Sequence, residues 1–239
     1  MRREKTSVSQ EDYLKAIWEI IQEEQVPISA RLAEELGVTP PAVTAALKRM
    51  TRADYLRVAR DGRIQLTRKG RGVAEHLALR HQLAEKLLTE VIGLDWTKAH
   101  DEAERLEHGI SPEVEALLLA RFGAESTCPH GVPLFGGLAK LRRRRGAVQL
   151  SEAGVGESVE VLCVYEKDPK FLAFLSGLSL RPGARIRVRG REYDETMTLT
   201  VHGARSRTTH GERSRTVARR TVHLGKPATS RIWVRRLPS

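Results

Sequence analysis

"PISARLAEELGVTPPAVTAALKRM", residues 27–50, decides the fold of the first third of this 239-residue chain. Ile28, Leu32, Ala33 and Leu36 recur at helical spacing and make a short amphipathic helix. Gly37 suits the left-handed residue that ends such a helix. Thr39 is an N-cap type, and Pro40 and Pro41 fit a first helical turn, where a missing N–H costs nothing. Two helices joined through "LGVT" have the spacing of a helix-turn-helix. Upstream, "SVSQEDYLKAIWEIIQEE" is a further helix, capped by Ser9 in this reading, with Tyr13, Leu14, Ile17, Trp18 and Ile21 on its apolar side. Downstream, "YLRVARDGRIQLTRKG" alternates Leu56 and Val58 with Ile64 and Leu66 around Asp61-Gly62, a hairpin signal. Three helices and a basic hairpin spell a winged helix-turn-helix over residues 1–72.

Charge supports that reading. The formal net charge is +11, but it is unevenly placed. Residues 39–72 carry +7, residues 73–140 carry −5, and residues 204–236 carry +9. The first basic block covers the second helix of the motif and the hairpin, as a nucleic-acid face requires. Thr39, Pro41, Ala42, Thr44 and Ala45 open that helix; small hydroxyl and methyl groups suit thymine-methyl contact and shape readout. Lys48, Arg49, Arg52 and Arg60 are phosphate candidates, supplying affinity without sequence information. A generic three-helix packing unit is the plain alternative, and the local charge argues against it.

The acidic middle holds five of the eight histidines. In "HDEAERLEH", residues 100–108, a pitch of about 100° per residue brings His100, Glu104, Glu107 and His108 onto one face. Ala99, Ala103, Leu106 and Ile110 form an adjoining apolar stripe, while Arg105 points away. A solvated acidic helix would read similarly. Here the ligand-type face abuts the apolar stripe, so its carboxylates are expected to be partly buried and to need a cation, which favours a metal. His81 and Glu85 share a face of a long helix expected over 69–92. "SPEVEALLLARFG" is another helix, and its apolar excess points to packing against a second copy. "CPHGVP" is a turn in which Cys128 and His130 are either a ligand pair or merely structural.

Residues 141–149 read as a basic linker. Beyond it, "VQLS", "ESVEVLCVY", "ARIRVRG", "MTLTVHG", "RTVHLG" and "RIWVRR" are strand-like, interrupted by the helix "PKFLAFLSGL". The expected class is mainly α with a C-terminal β domain: a winged helix over 1–72, a helical domain over 73–140, and a small β-barrel over 150–236 with an Arg-rich loop at 204–222. No apolar run approaches the roughly 18 residues of a membrane span. The N-terminus shows no secretion-signal core, and two cysteines make no disulfide framework. A cytoplasmic protein with no membrane partner is expected.

"EDYLKAIWEI", "LAEELGVTPPAVTAALKRM", "LTRKG", "HQLAEKLL", "HDEAERLEHGIS" and "CPHG" stand in an order and spacing that resemble the diphtheria-toxin-repressor and manganese-transport-regulator family of metal-dependent repressors. "LSLRPGARIRV" resembles the SH3-like third domain of its longer members, and the likeness returns at "HLGKPATSRIWV". The resemblance implies a homodimer that binds an inverted-repeat operator in double-stranded DNA, with a divalent metal as co-repressor and metal-uptake genes as targets. It implies a helical dimerisation domain between the winged helix and the SH3-like barrel. It implies a primary metal site at Asp12, Glu104, Glu107 and His108, and an ancillary site at His81, Glu85 and His100. Asp168 or Glu166 of "YEKDPKF" would complete the latter, and Cys128 with His130 is the variant some members use. Iron-responsive members carry Met and Cys where this chain has Asp12 and Glu104, so the implied effector is Mn(II), with Fe(II) second and other divalent first-row metals binding in vitro. The chain departs from the short manganese regulators at Lys15, where they have Glu, which disfavours a closely spaced binuclear site. Rival readings are an iron-dependent regulator of the same family, a di-metal carboxylate enzyme, and a winged helix sensing an organic ligand. The enzyme would need a second Glu-x-x-His copy, and none is present.

Overall fold

The structure, a computed structural model, describes residues 7–23, 25–202 and 219–238. It forms two compact units, one made of Met1–His81 with Glu107–Ser111, the other of Gln82–Leu106 with Pro112–Ser239.

In the first unit α1 (Val8–Gln22), α2 (Ser29–Leu36) and α3 (Pro40–Arg52) precede the antiparallel hairpin β1 (Leu56–Val58) and β2 (Ile64–Leu66). This is the expected winged helix-turn-helix. The cap of α1 is Ser7 rather than Ser9: Ser7 and Gln10 exchange hydrogen bonds in a capping box, and a helix starting at Ser7 leaves Ser9 inside the first turn. Gly37 ends α2 at φ 62°, and Thr39 is the N-cap of α3 with proline in its first turn. Leu14, Ile17, Leu32, Val43, Met50, Leu56 and Ile64 close one core. The start of α4 seals it: a Cβ on Gly70 would stand 1.9 Å from the Tyr55 carbonyl oxygen, so only glycine permits that approach.

α4 (Arg68–Lys86) belongs to the first unit through His81 and to the second from Gln82. The expected single helix over 69–92 is corrected here. After Lys86 the chain winds as a π-helix, Leu87–Ile92, closed by Gly93 at φ 84°. The Thr89 hydroxyl donates to the Glu85 carbonyl at 2.8 Å and competes for the acceptor that an α-helix assigns to the Thr89 N–H. The helix drawn through residues 100–108 ends early as well, at Leu106. Asp95 accepts from the Thr97 N–H and hydroxyl, holding a turn ahead of α5 (Ala99–Leu106), and Glu107–Gly109 tighten into a 3₁₀ turn.

The second unit continues with α6 (Pro112–Phe122) and α7 (Gly137–Arg145). α7 replaces the expected basic linker: Leu138 and Leu141 bury beside Ala147, Leu162 and Cys163, which gives the arginine run a helix to stand on. The six-stranded antiparallel sheet follows, made of β3 (Val148–Gln149), β4 (Ser158–Val164), β5 (Arg185–Arg191), β6 (Met197–His202), β7 (Arg220–Leu224) and β8 (Ile232–Arg236), in the order β3-β8-β4-β5-β6-β7. α8 (Pro169–Gly177) follows β4, and the short α9 (Lys226–Thr229) precedes β8. Val161, Leu172, Ile186, Leu199, Val222 and Val234 share one core, and Trp96 is buried in it. The indole belongs to the segment that leads into α5, which is why that segment falls in one compact unit with the β domain. Residues 204–218 of the expected Arg-rich loop lie outside the described residues; Arg220–Val222 are part of β7.

Candidate functional site

Each unit assembles a group of ligand-type side chains of its own. The first is built by α1 and the 3₁₀ turn. Asp12, Glu107 and His108 present ligand atoms all within 4.8 Å of one another. His108 Nε2 lies 2.9 Å from Asp12 Oδ1, and its Nδ1 lies 2.8 Å from Glu11 Oε2. Glu107 is fully buried, with Lys15 Nζ donating to both its oxygens at 3.0 and 2.8 Å. His81 Nδ1 lies 2.6 Å from Glu107 Oε2 and 3.1 Å from Lys15 Nζ.

This corrects one step of the sequence argument. A buried carboxylate does need a cation, and for Glu107 the chain supplies one of its own, Lys15. Lys15 stands three residues after Asp12 and so shares its side of α1. Within its unit His81 meets Glu107 and Lys15. Glu104 is on α5 in the second unit with its side chain 48% exposed, and its carboxylate lies 3.9 Å from His100 Nε2. The common face drawn for Glu104, Glu107 and His108 assumed an unbroken α-helix. The helix instead ends at Leu106, and Glu107–Gly109 form a 3₁₀ turn that advances about 120° per residue.

The second group comprises Glu85, Cys128, His130 and Glu166, again with ligand atoms within 4.8 Å of one another. Glu85 comes from the last turn of α4, Cys128 and His130 from the "CPHG" turn, and Glu166 from the residues just after β4. The turn is fixed by Cys128 N–H to the Val132 carbonyl at 2.8 Å and by Val164 N–H to the His130 carbonyl at 3.0 Å. Gly131 has φ +94°, and a Cβ there would stand 2.0 Å from the Leu162 carbonyl oxygen, so glycine is obligatory. His130 Nε2 is 2.9 Å from the Trp96 carbonyl oxygen, an acceptor only, so this nitrogen carries the proton and donates. Its Nδ1 faces Glu85 Oε1 at 3.1 Å and Glu166 Oε2 at 3.3 Å. Such an outward Nε2–H to a carbonyl is how a ligating imidazole is usually oriented. His100 adds Nδ1 at 3.5 Å from Glu85 Oε1.

Electrostatics agree with a site built for a cation. Burial first, then the Glu85 and Glu166 charges, push the Cys128 thiol well above its ordinary range. Burial alone would lower the His130 imidazole, but the Glu85 charge and the contacts with Cys128, Glu166 and Glu85 outweigh it and hold it well above normal. A bound divalent ion would reverse both tendencies, favouring thiolate and neutral imidazole. Asp168 is placed elsewhere: it caps α8 through the Phe171 N–H and pairs with Arg231. Of the two acidic candidates, Glu166 is the one the fold brings to the cluster.

The remaining candidates line the exposed side of α3 and the wing. Thr39, Pro41, Ala42, Thr44, Ala45, Lys48, Arg49, Arg52 and Arg60 are all exposed, while Val43, Ala46, Leu47 and Met50 face the core. The Thr44 hydroxyl donates to the Pro40 carbonyl at 3.1 Å, which leaves it an acceptor toward any outside donor.

Comparison with known proteins places these features together. Residues 5–63 match the model described as iron dependent repressor, N-terminal DNA binding domain, and residues 67–136 match iron dependent repressor, metal binding and dimerisation domain. Residues 148–209 match the FeoA domain. The diphtheria toxin repressor of Corynebacterium efficiens is 35% identical over 185 residues, 74% of this chain and 80% of the relative. That of Corynebacterium jeikeium is 42% identical over 126 residues, 53% of this chain and 52% of the relative, so this stronger match spans about half of that protein. A manganese-dependent transcriptional repressor solved in complex with manganese superposes with a TM-score of 0.77 at 28% identity, covering 95% of this chain and 100% of that one.

Proposed function

We propose, since this chain belongs to the diphtheria-toxin-repressor family of metal-dependent transcriptional repressors, that it is a Mn(II)-activated regulator acting as a homodimer on an inverted-repeat DNA operator and repressing metal-uptake genes. The observation that carries this reading is the pair of donor sets, Asp12–Glu107–His108 and Glu85–Cys128–His130–Glu166, each gathered around a fully buried glutamate. Carboxylate and imidazole donors fit a hard-to-borderline divalent ion such as Mn(II).

In this account Asp12, Glu107 and His108 hold the primary metal. Glu85, Cys128, His130 and Glu166 hold the second, with His100 beside them. The ion supplies positive charge between carboxylates that otherwise repel. Asp12 and His108 then fasten α1, and with it the helix-turn-helix, to the 107–109 turn. That stabilises one arrangement of the reading head over others, and DNA selects the same arrangement. α3 presents Thr39, Pro41, Ala42, Thr44 and Ala45 to the major groove, and Lys48, Arg49, Arg52 and Arg60 hold phosphates.

One observation favours iron as a second effector: Cys128 lies in the buried set, and a thiolate softens the site toward Fe(II) or Zn(II). The experiment is binding to duplex from the gene's own upstream region with Mn(II), Fe(II) or Zn(II) added to metal-free protein. Manganese is expected to activate at the lowest free concentration. Activation by iron at a lower free concentration would transfer the assignment to iron.

A further inference from the structure

β5 reads Arg-Ile-Arg-Val-Arg, and its alternation puts Ile186 and Val188 in the core and Arg185, Arg187 and Arg189 outside. The register names their neighbours on that face. Arg187 lies between Ser158 of β4 and Thr200 of β6, and Arg185 between Glu160 and His202. Beyond β6 come Thr221 and His223 of β7. The surface is therefore arginine, hydroxyl and imidazole, with one carboxylate, and Arg235 already holds that carboxylate at 2.8 Å.

Other arginines of the same domain have evident internal work. Arg231 pairs with Asp168 and Arg236 with Glu157, while Arg191 donates to the Ser151 and Ala153 carbonyls and Arg220 to the Gly177 carbonyl. The β5 row differs. Among the described residues no carboxylate lies within salt-bridge distance of Arg185, Arg187 or Arg189, and the one hydrogen bond the row makes is from Arg189 Nε to the Thr200 hydroxyl at 3.0 Å. Three guanidiniums held side by side on one strand repel one another, and among the described residues only Arg189 of the three has a side-chain partner. An external anion removes that repulsion.

We propose that this outward face of β5 is a second, sequence-independent contact surface for the phosphate backbone of duplex DNA. Alternate residues of a strand are about 6.6 Å apart, so the three guanidiniums form a straight row of positive charge about 13 Å long, enough to meet more than one phosphate of a duplex. The face offers no apolar side chain for a bilayer or for the side chains of an acidic peptide, which leaves a regular polyanion as the partner. The inference rests on the proposed DNA-binding function, and its effect is separable from operator recognition: it adds affinity and salt dependence for any duplex, with no change in sequence preference.

The test compares full-length protein with the Arg185→Thr/Arg187→Thr/Arg189→Thr variant, which keeps strand-compatible side chains on the face. Binding of a random-sequence duplex is followed from 50 to 200 mM salt, alongside the Mn(II) dependence of binding to upstream DNA. Three lost phosphate contacts lower the log–log salt slope by about 2.7, so the wild type should lose about 40-fold more affinity over that range than the variant. The variant should still respond to Mn(II), and the Arg185→Lys/Arg187→Lys/Arg189→Lys variant should keep the wild-type slope. An unchanged slope in the threonine variant overturns the proposal. So does arginine-dependent binding of polyglutamate or anionic vesicles that matches the affinity for duplex. A wild type that fails to bind upstream DNA in any metal contradicts the function itself and leaves a recognisably different result.

Discussion

Lys15 Nζ lies 2.8 Å from Glu107 Oε2, and both side chains are buried, at 5% and 0% exposure. An ammonium thus occupies one side of a carboxylate whose neighbours Asp12 and His108 are proposed to hold a metal. In that proposal Lys15 and the metal compete for Glu107. Replacing Lys15 by Met leaves that carboxylate without its internal cation, and breaking a buried pair in this way costs about 3–5 kcal/mol. We expect a loss of that order in urea unfolding of metal-free Lys15→Met. Added Mn(II) should recover part of it, with Mn(II) binding tighter than in wild type. Equal metal-free stability of the two proteins would show that Lys15 does not neutralise Glu107.

Gly131 holds the turn that carries Cys128 and His130 at a backbone angle side chains rarely adopt, against the Leu162 carbonyl. Gly131→Ala must shift that turn. It should weaken metal binding at the second site at least about tenfold, as loss of a supporting contact does, while the Asp12–Glu107–His108 site still binds. Titration calorimetry resolves the two. Loss of both sites together would mean that they are not independent.

Asp168 accepts from the Phe171 N–H at the start of α8 and, more weakly, pairs with Arg231, and the two together hold its carboxyl below the usual range. A depressed folded-state value means the stabilisation is fully present above the unfolded value of about 3.9 and disappears as pH falls through the folded one. Asp168→Ala should therefore cost about 1 kcal/mol at neutral pH, while Asp168→Asn, an equally good cap, keeps most of it. The difference between Asp168 and Ala should shrink in acid melts below about pH 4. A difference that persists unchanged at pH 2 would remove the carboxylate from the explanation.

Exposed charges on α3 and the wing are expected to act separately from its small residues. Neutralising Lys48, Arg49, Arg52 or Arg60 should each lower the salt slope by about 0.9 with little change in sequence preference. Thr44→Ala should instead change the preference for operator over random duplex. An equal loss on both duplexes would deny Thr44 a reading role.

The winged helix was legible because its signals are local: Gly37 at a helix end, Pro40 and Pro41 at a helix start, and Asp61-Gly62 between alternating strands. The strands of the β domain were legible through period-two alternation, most plainly in β5. What escaped was non-local. Nothing near Glu107 in sequence announces Lys15, 92 positions away, as its cation. The 3₁₀ turn at Glu107–Gly109 and the π-helix at Leu87–Ile92 lie within segments whose pattern fits an ordinary α-helix, so their faces were drawn with the wrong pitch. The arginines of 142–145 hid α7, since their charge suggested a linker while two leucines decided the packing.

The account turns on Glu107 as the residue through which metal reaches the reading head. Fluorescence anisotropy of a labelled upstream duplex, titrated with metal-free protein and then with Mn(II), measures this directly in wild type and in Glu107→Gln, which keeps the size of the side chain and removes its charge. The wild type should gain at least about 100-fold in DNA affinity on adding Mn(II), or about 2.7 kcal/mol of coupling, and Glu107→Gln should show no gain while folding and binding random duplex as before. Metal-free wild type binding the duplex as tightly as the manganese form, or Glu107→Gln responding to Mn(II) like wild type, would contradict the account.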